Sequence, residues 1–357
     1  MIYIAVFNGL LLTRYALMRA ISMRGQLYLP LLIALFLFSA FRFEVGCDWS
    51  GYLNQYRVYT QLSWNSIITE NREVLWLTLF QLQDWLNLPY PWINIFSSLI
   101  FFYGAHTLAR RQPDPLAFII FLFPILIINM PMSAIRQGTS IGIMCIAFAA
   151  FIDRSLMRYV ALTLVASAFH SAALIFLLLA PLVHGQYTRL RLLSSVLLAI
   201  PGAVLLRSGE AADVAASRYI DTGRDAAGAI FRVGFIGLSG LYFIYFLRRK
   251  WRTTYPDDFK LVMVGALIMT AALALVPVST VIADRLAYYL IPIQAIMFAR
   301  IPFLPFRSEH NLHVALPYLG LLAVFLVWAS LSSHFQQCYI PYQTWIFGYP
   351  DSMRWTF

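Results

Sequence analysis

Residues 27–41 read LYLPLLIALFLFSAF, and residues 41–59 continue as FRFEVGCDWSGYLNQYRVY. The first stretch has no charge and is long enough for most of a bilayer crossing. The second gathers two arginines, a glutamate, an aspartate, two glycines and spaced tyrosines where the chain leaves that apolar run. The apolar pattern recurs along the chain, which is 61% hydrophobic and only 12% charged. A soluble domain of this size does not need so much apolar surface. The runs are continuous rather than alternating, so they predict membrane helices and exclude a β-barrel. Candidate spans are 2–18, 27–41, 92–109, 116–131, 137–152, 159–183, 192–206, 231–247, 260–277, 286–299 and 313–331, and 73–87 is weaker. The expected fold is an all-α polytopic membrane protein with about 11–13 transmembrane or re-entrant helices. Short extracytoplasmic loops would carry amphipathic helices. No stretch between the runs is long enough for a soluble domain, so residues 1–357 read as a single integral-membrane domain.

The net charge of +10 is not a nucleic-acid signal, because the basic residues lie in several short loops. They cluster at Arg14/Arg19/Arg24, Arg110/Arg111, Arg154/Arg158, Arg189/Arg191, Arg248/Arg249/Lys250/Arg252 and Arg300/Arg307. Placing every cluster in the cytoplasm makes the N-terminal run a retained span that starts outside. The outward turns are then 42–72, 132–136, the middle of 159–183, 207–230, 278–285 and the tail after 332, with the main extracytoplasmic elements about 42–72, 207–230 and 332–357. In this threading one side collects a polar constellation and the other only basic anchors. Segment 159–183 then has to be two short helices meeting near FHSA, the alternative being one ordinary crossing. Segment 73–87 has to be interfacial or re-entrant.

Ionisable groups at membrane depth are costly and therefore tend to be paired or functional. Glu44 and Asp48 share a face if RFEVGCD is helical, whereas Gly46 argues for a turn that aims Asp48 back at the membrane surface. Asp48 is a candidate general base for a sugar hydroxyl, or a loop-holding residue. Arg42 and Glu44 read as structural. Glu73 reads first as a helix-start glutamate favoured by the dipole, with catalysis second. Arg136, beside a small-residue turn and a helix start, suits phosphate oxygens. His170 is a satisfied core residue or a catalyst at a helix break. Asp284 and Arg285 form a local salt bridge or line a site, and Arg218, Asp221 and Arg224 lie in a solvated loop or flap. Tyr339 and Tyr342 are interface aromatics or sugar-stacking rings. Cys47, Cys145 and Cys338 have no metal-ligand spacing; Cys145 reads as packing, and Cys47 with Cys338 as a free pair. No Walker A sequence, H-E-x-x-H site or outward D-x-D is found, so ATP-driven transport and a metal-held nucleotide sugar are not supported.

Taken together, FRFEVGCDWSGYLNQY, SAIRQG, FHSAAL, DRLAYY and YIPY resemble the motifs of the EpsG-type exopolysaccharide and O-antigen polymerases, the Wzy-like proteins. The resemblance runs from about residue 41 to the tail. EVLW stands where E-P-G-F is commoner, and Cys47 where threonine is common. The resemblance implies a GT-C-like, metal-independent glycosyltransferase without cofactor in the bacterial inner membrane, its active site facing outward. Its partners would be undecaprenyl-diphosphate-linked oligosaccharides as donor and acceptor, the bilayer, and a chain-length regulator, with no nucleic acid. On that reading Asp48, His170 and Glu73 are the catalytic candidates. Arg136, Arg285, Arg218 and Arg224 are the diphosphate-binding ones. Arg42, Glu44, Gly46, Tyr52, Tyr288, Tyr339 and Tyr342 would contact sugar or shape loops. An O-antigen ligase-like transferase and a lipid-linked oligosaccharide flippase are the alternatives.

Overall fold

The computed structural model describes residues 2–17, 20–64, 66, 73–185, 188, 190, 193, 228–306 and 309–349. The expected span 192–206, all but the last residues of the 207–230 element, Arg218, Asp221 and Arg224 lie outside the described residues, apart from Leu193. Regular structure among the described residues is helical. Five helices are long and apolar enough to cross a membrane, and further apolar helices are shorter. The protein is thus an all-α polytopic membrane protein. Its contacts divide into two compact units. The first holds Met1–Ile143, Val165–Ser171 and Leu321–Phe357, the second Met144–Leu164 and Ala172–Gly320.

In the first unit, α1 (Ile2–Ala16) and α2 (Ile21–Ala40) precede the polar turn. Two short helices follow, α3 (Trp49–Tyr59) and α4 (Val74–Trp85). Next come α5 (Trp92–Ala109), α6 (Pro115–Leu122), which continues as a π turn over Phe123–Ile127, and the start of α7 (Ile135–Ile152). Helices α2 and α5 pack antiparallel. Their rungs are Arg42–Asn94 at 2.6 Å, Ser39–Ser98 at 3.2 Å and Tyr28–His106 at 3.0 Å. Because Arg42 meets Asn94, the chain between them leaves and returns at one end of this helix pair. Helix α4, with 12 residues, is only about 18 Å long and makes no net crossing. This agrees with the interfacial or re-entrant reading of 73–87. Gly104 of α5 and Gly142 of α7 meet backbone to backbone, where a Cβ on either would strike the backbone of the other helix; small residues permit such close helix approach in membranes.

At the other end of α2, Asp114 caps α6 by accepting from the Ala117 amide at 3.0 Å. Pro115 at the first helical position has no amide to satisfy. The same carboxylate accepts from Arg14 at 3.1 Å and pairs with Arg24. In the second unit, Arg300 pairs with Asp258, which also accepts from the Trp251 indole at 3.0 Å. Arg14, Arg24 and Arg300 are therefore not bare topogenic anchors. Arg300 has its own buried aspartate, and Arg14 and Arg24 share one, which lowers the cost of holding these charges near the hydrocarbon.

The cysteine expectation is corrected: Cys47 and Cys338 form a disulfide, with Cα atoms 4.8 Å apart. Backbone pairing supports it, with Gly46 N–H to Cys338 O at 2.7 Å, Phe43 N–H to Gln343 O at 2.9 Å and Trp345 N–H to Phe41 O at 2.9 Å. The C-terminal strap thus lies along the 41–47 turn, a pairing that no local spacing reveals. Cys145 is buried and free, as a packing residue should be. Reducing the disulfide, or Cys47→Ser, should lower stability by about 2–4 kcal/mol. Thermal unfolding in detergent with and without reductant checks this.

Segment 159–183 breaks where FHSA does. Helix α8 (Leu156–Phe169) stops before His170, and a nine-residue 3₁₀ stretch (Ser171–Leu179) leads into α9 (Ala180–Val183). A 3₁₀ run of that length is uncommon and marks a special site.

The second unit also contains α10 (Ala229–Tyr242), a π turn (Phe243–Leu247), α11 (Arg248–Thr254), α12 (Phe259–Leu275) and α13 (Thr280–Arg300). Helix α14 (His310–Leu331) then leads back to the first unit, where α15 (Ser333–Tyr339) closes the described chain ahead of the strap.

Candidate functional site

The motif 41–48 folds as a turn, not a helix. Gly46 has φ +102° and Glu44 φ +51°, so Glu44 and Asp48 do not share a helical face. Glu44 is exposed, and Asp48 takes the N-cap position of α3. Arg42 is only 2% exposed. It donates to the Ser39 carbonyl at 2.9 Å, the Val45 carbonyl at 3.1 Å and the Asn94 side chain at 2.6 Å. Burial brings its pKa down to about 10, so it stays charged at neutral pH. Surrounded by dipoles, it locks the turn onto α5.

Gly46 sits directly over the Met132–Ser133 backbone, where a Cβ would collide with it. That backbone forms the turn leading into Arg136. Gly46→Ala combines left-handed strain with this clash. It should lower the melting temperature and any activity together, which thermal unfolding and product gels on the same preparation would reveal.

Arg136 lies in the first turn of α7, where the helix dipole disfavours a cation. Its placement is explained by Glu73. The Arg136 Nη1–Glu73 Oε2 distance is 2.6 Å, and Glu73 Oε1 accepts from the Ser171 amide at 3.1 Å. Glu73 holds the N-cap position of α4 but makes no capping bond there. Glu73 thus stands at a helix start, and its carboxylate bonds tertiary partners rather than the amides of its own helix. The Ser171 amide is available because the helix break at His170 frees it from an α-helical partner. His170 itself is buried beside it.

Tyr52 ties these groups together. It is buried on α3 against Trp76, ring centroids 5.3 Å apart, and its hydroxyl is hydrogen-bonded to the Arg136 backbone. Burial pushes its pKa well above the usual tyrosine value. The charge of Arg136 pulls it back, and Asp48 and Glu73 raise it further. One hydroxyl thus feels Asp48, Glu73 and Arg136 at once. Glu73 balances the Arg136 charge, and the second carboxylate, Asp48, can take a proton from a neighbouring hydroxyl.

Tyr339 is buried, with its ring 5.9 Å from Tyr3. Tyr342 stacks on Phe38 at 4.4 Å and donates to the Phe38 carbonyl at 2.8 Å. Both shape the strap. Arg285 and Tyr288 belong to the second unit. There Asp284 pairs not with its neighbour Arg285 but bidentately with Arg232, at 2.9 and 2.7 Å, and the guanidinium lies 5.6 Å from the Tyr288 ring centre. This corrects the local Asp284–Arg285 bridge. Sequence reasoning missed Arg232, although a lone arginine inside an apolar span is itself a signal. It also missed Ser171 and Asn94, which carry none.

The family model of the EpsG family matches residues 26–344 of the chain. Neither a search of curated proteins nor one of solved structures finds a match.

Proposed function

The chain belongs to the EpsG family, and from that membership we propose that it is a polysaccharide polymerase of the GT-C-like kind, a glycosyltransferase working as one membrane-embedded domain. Its donor would be a glycan on undecaprenyl diphosphate, and its acceptor the terminal sugar of a lipid-linked repeat unit. The observation that carries the reading is the Asp48–Tyr52–Glu73–Arg136 group beside the His170 break.

The acceptor hydroxyl attacks the anomeric carbon of the donor sugar. The bond from that carbon to the diphosphate oxygen breaks, and its electron pair leaves with the diphosphate. Arg136, aimed by Glu73, stabilises the departing charge. Asp48, on the rim of the group, takes the hydroxyl proton, and His170 is the second choice for that role. The site faces outward, and the Cys47–Cys338 disulfide supports that, because disulfides persist on the oxidising side of a membrane.

Purified protein in liposomes, given lipid-linked repeat unit, should form a ladder of products. A single transfer to a different acceptor would favour a ligase. Movement of the lipid across the bilayer without transfer would favour a flippase. Either result overturns the polymerase reading.

A further inference from the structure

Helix α4 carries two stripes. Trp76, Leu77, Phe80 and Gln83 face inward. Gln83 also holds the following turn through the carbonyls of Pro89 at 2.8 Å and Tyr90 at 3.1 Å. Thr78, Gln81, Leu82 and Trp85 follow the i, i+3, i+4, i+7 spacing of the other face. That face is one wall of a cleft of about 520 Å³, which Trp64 and Asp84 complete. The size suits a small organic ligand.

Both indoles are open, Trp64 at 53% and Trp85 at 76% exposure. Gln81 anchors the cleft floor by donating to the Tyr59 carbonyl at 2.6 Å. The Asp84 carboxylate is exposed. Two flat aromatic faces around a carboxylate, an amide and a hydroxyl form a chemical set that recognises sugar rings. The indoles cover the C–H faces, and the polar groups take the hydroxyls. A lipid chain is a poorer occupant, because the cleft contains a carboxylate.

We propose that this cleft is a glycan-holding subsite for neutral or amino sugars, separate from the reacting groups. It takes from the polymerase reading only that a glycan is at hand. Glu73 stands at the start of α4 and the lining residues run from Thr78 to Trp85, so the cleft extends from about 8 to about 18 Å along the helix from Glu73. It therefore grips sugars some units back along the chain and keeps a growing glycan from diffusing away between transfers. The negative charge of Asp84 disfavours uronic acids.

The test uses full-length protein in nanodiscs, with oligosaccharide released by mild acid from the source cell's lipid-linked repeat unit as probe. Saturation-transfer NMR should detect binding to the wild type. W64A/W85A should weaken binding about tenfold, the effect of losing roughly two aromatic contacts, and shorten the modal polymer length in cells. D84N, which removes no packing, should weaken binding of neutral sugars less and relax rejection of uronic acids. An intact Cys47–Cys338 bond on a non-reducing gel reports folding for each variant.

Unchanged binding and chain length in both variants would overturn the proposal. So would a wild type that does not bind the probe, or brominated-lipid quenching that places both indoles in the bilayer. If the wild type binds through the cleft yet makes no polymer, the polymerase reading falls and the glycan subsite stands.

Discussion

Arg136→Ala is expected to abolish long polymer while the protein still inserts and forms its Cys47–Cys338 bond. Arg136 bonds the Glu73 carboxylate at 2.6 Å and contributes its backbone to the Tyr52 hydroxyl. The substitution removes the cation aimed at the leaving diphosphate but leaves the backbone contact. Removing one such charge-stabilising donor typically costs about 10²–10³-fold in turnover. Arg136→Lys keeps the charge but loses the planar fork, so it should recover only part of the rate. Glu73→Gln keeps the shape of the pair and removes its charge, so Arg136 is held less firmly and the loss should be smaller than for Arg136→Ala. Product ladders from purified variants at matched protein levels check all three. A normal ladder from Arg136→Ala would remove Arg136 from the site.

Asp284→Ala should be the most destabilising single change. Arg232 on α10 and Asp284 on α13 form two parallel hydrogen bonds and are both largely buried. Truncating Asp284 leaves a guanidinium in a low-dielectric interior, which costs about 3–5 kcal/mol. Replacing both residues, as in Arg232→Leu/Asp284→Leu, removes the charge and its partner together and should be far milder. Thermal unfolding of Arg232→Leu, Asp284→Leu and the double isolates the coupling. A double variant as unstable as the sum of the singles would show that the pair is not energetically coupled.

Much of the architecture was legible in the primary structure. The uncharged run 27–41 becomes most of α2, and FHSA marks a real break because no continuous helix passes His170. The reading of 73–87 as too weak to cross also agrees with α4. The site was legible only as a set of parts. Asp48, Glu73, Arg136 and His170 could each be singled out as an ionisable group near a span end. Nothing local showed that Glu73 serves Arg136 rather than its own helix, or that Tyr52 joins them.

The class of solvent, the helical class and the family are all carried by local sequence. Hydropathy, charge placement and short motifs are properties of neighbouring residues, and the bilayer acts on them before any helix meets another. Tertiary structure alone decided the pairings. Cys47 reaches Cys338 across 291 residues, Ser171 reaches Glu73 across 98, Arg24 reaches Asp114 across 90, and Arg232 reaches Asp284 across 52. Each depends on which helix faces pack and at what depth. A buried charge accepts whichever partner that packing brings within reach, and chain distance does not enter its energy.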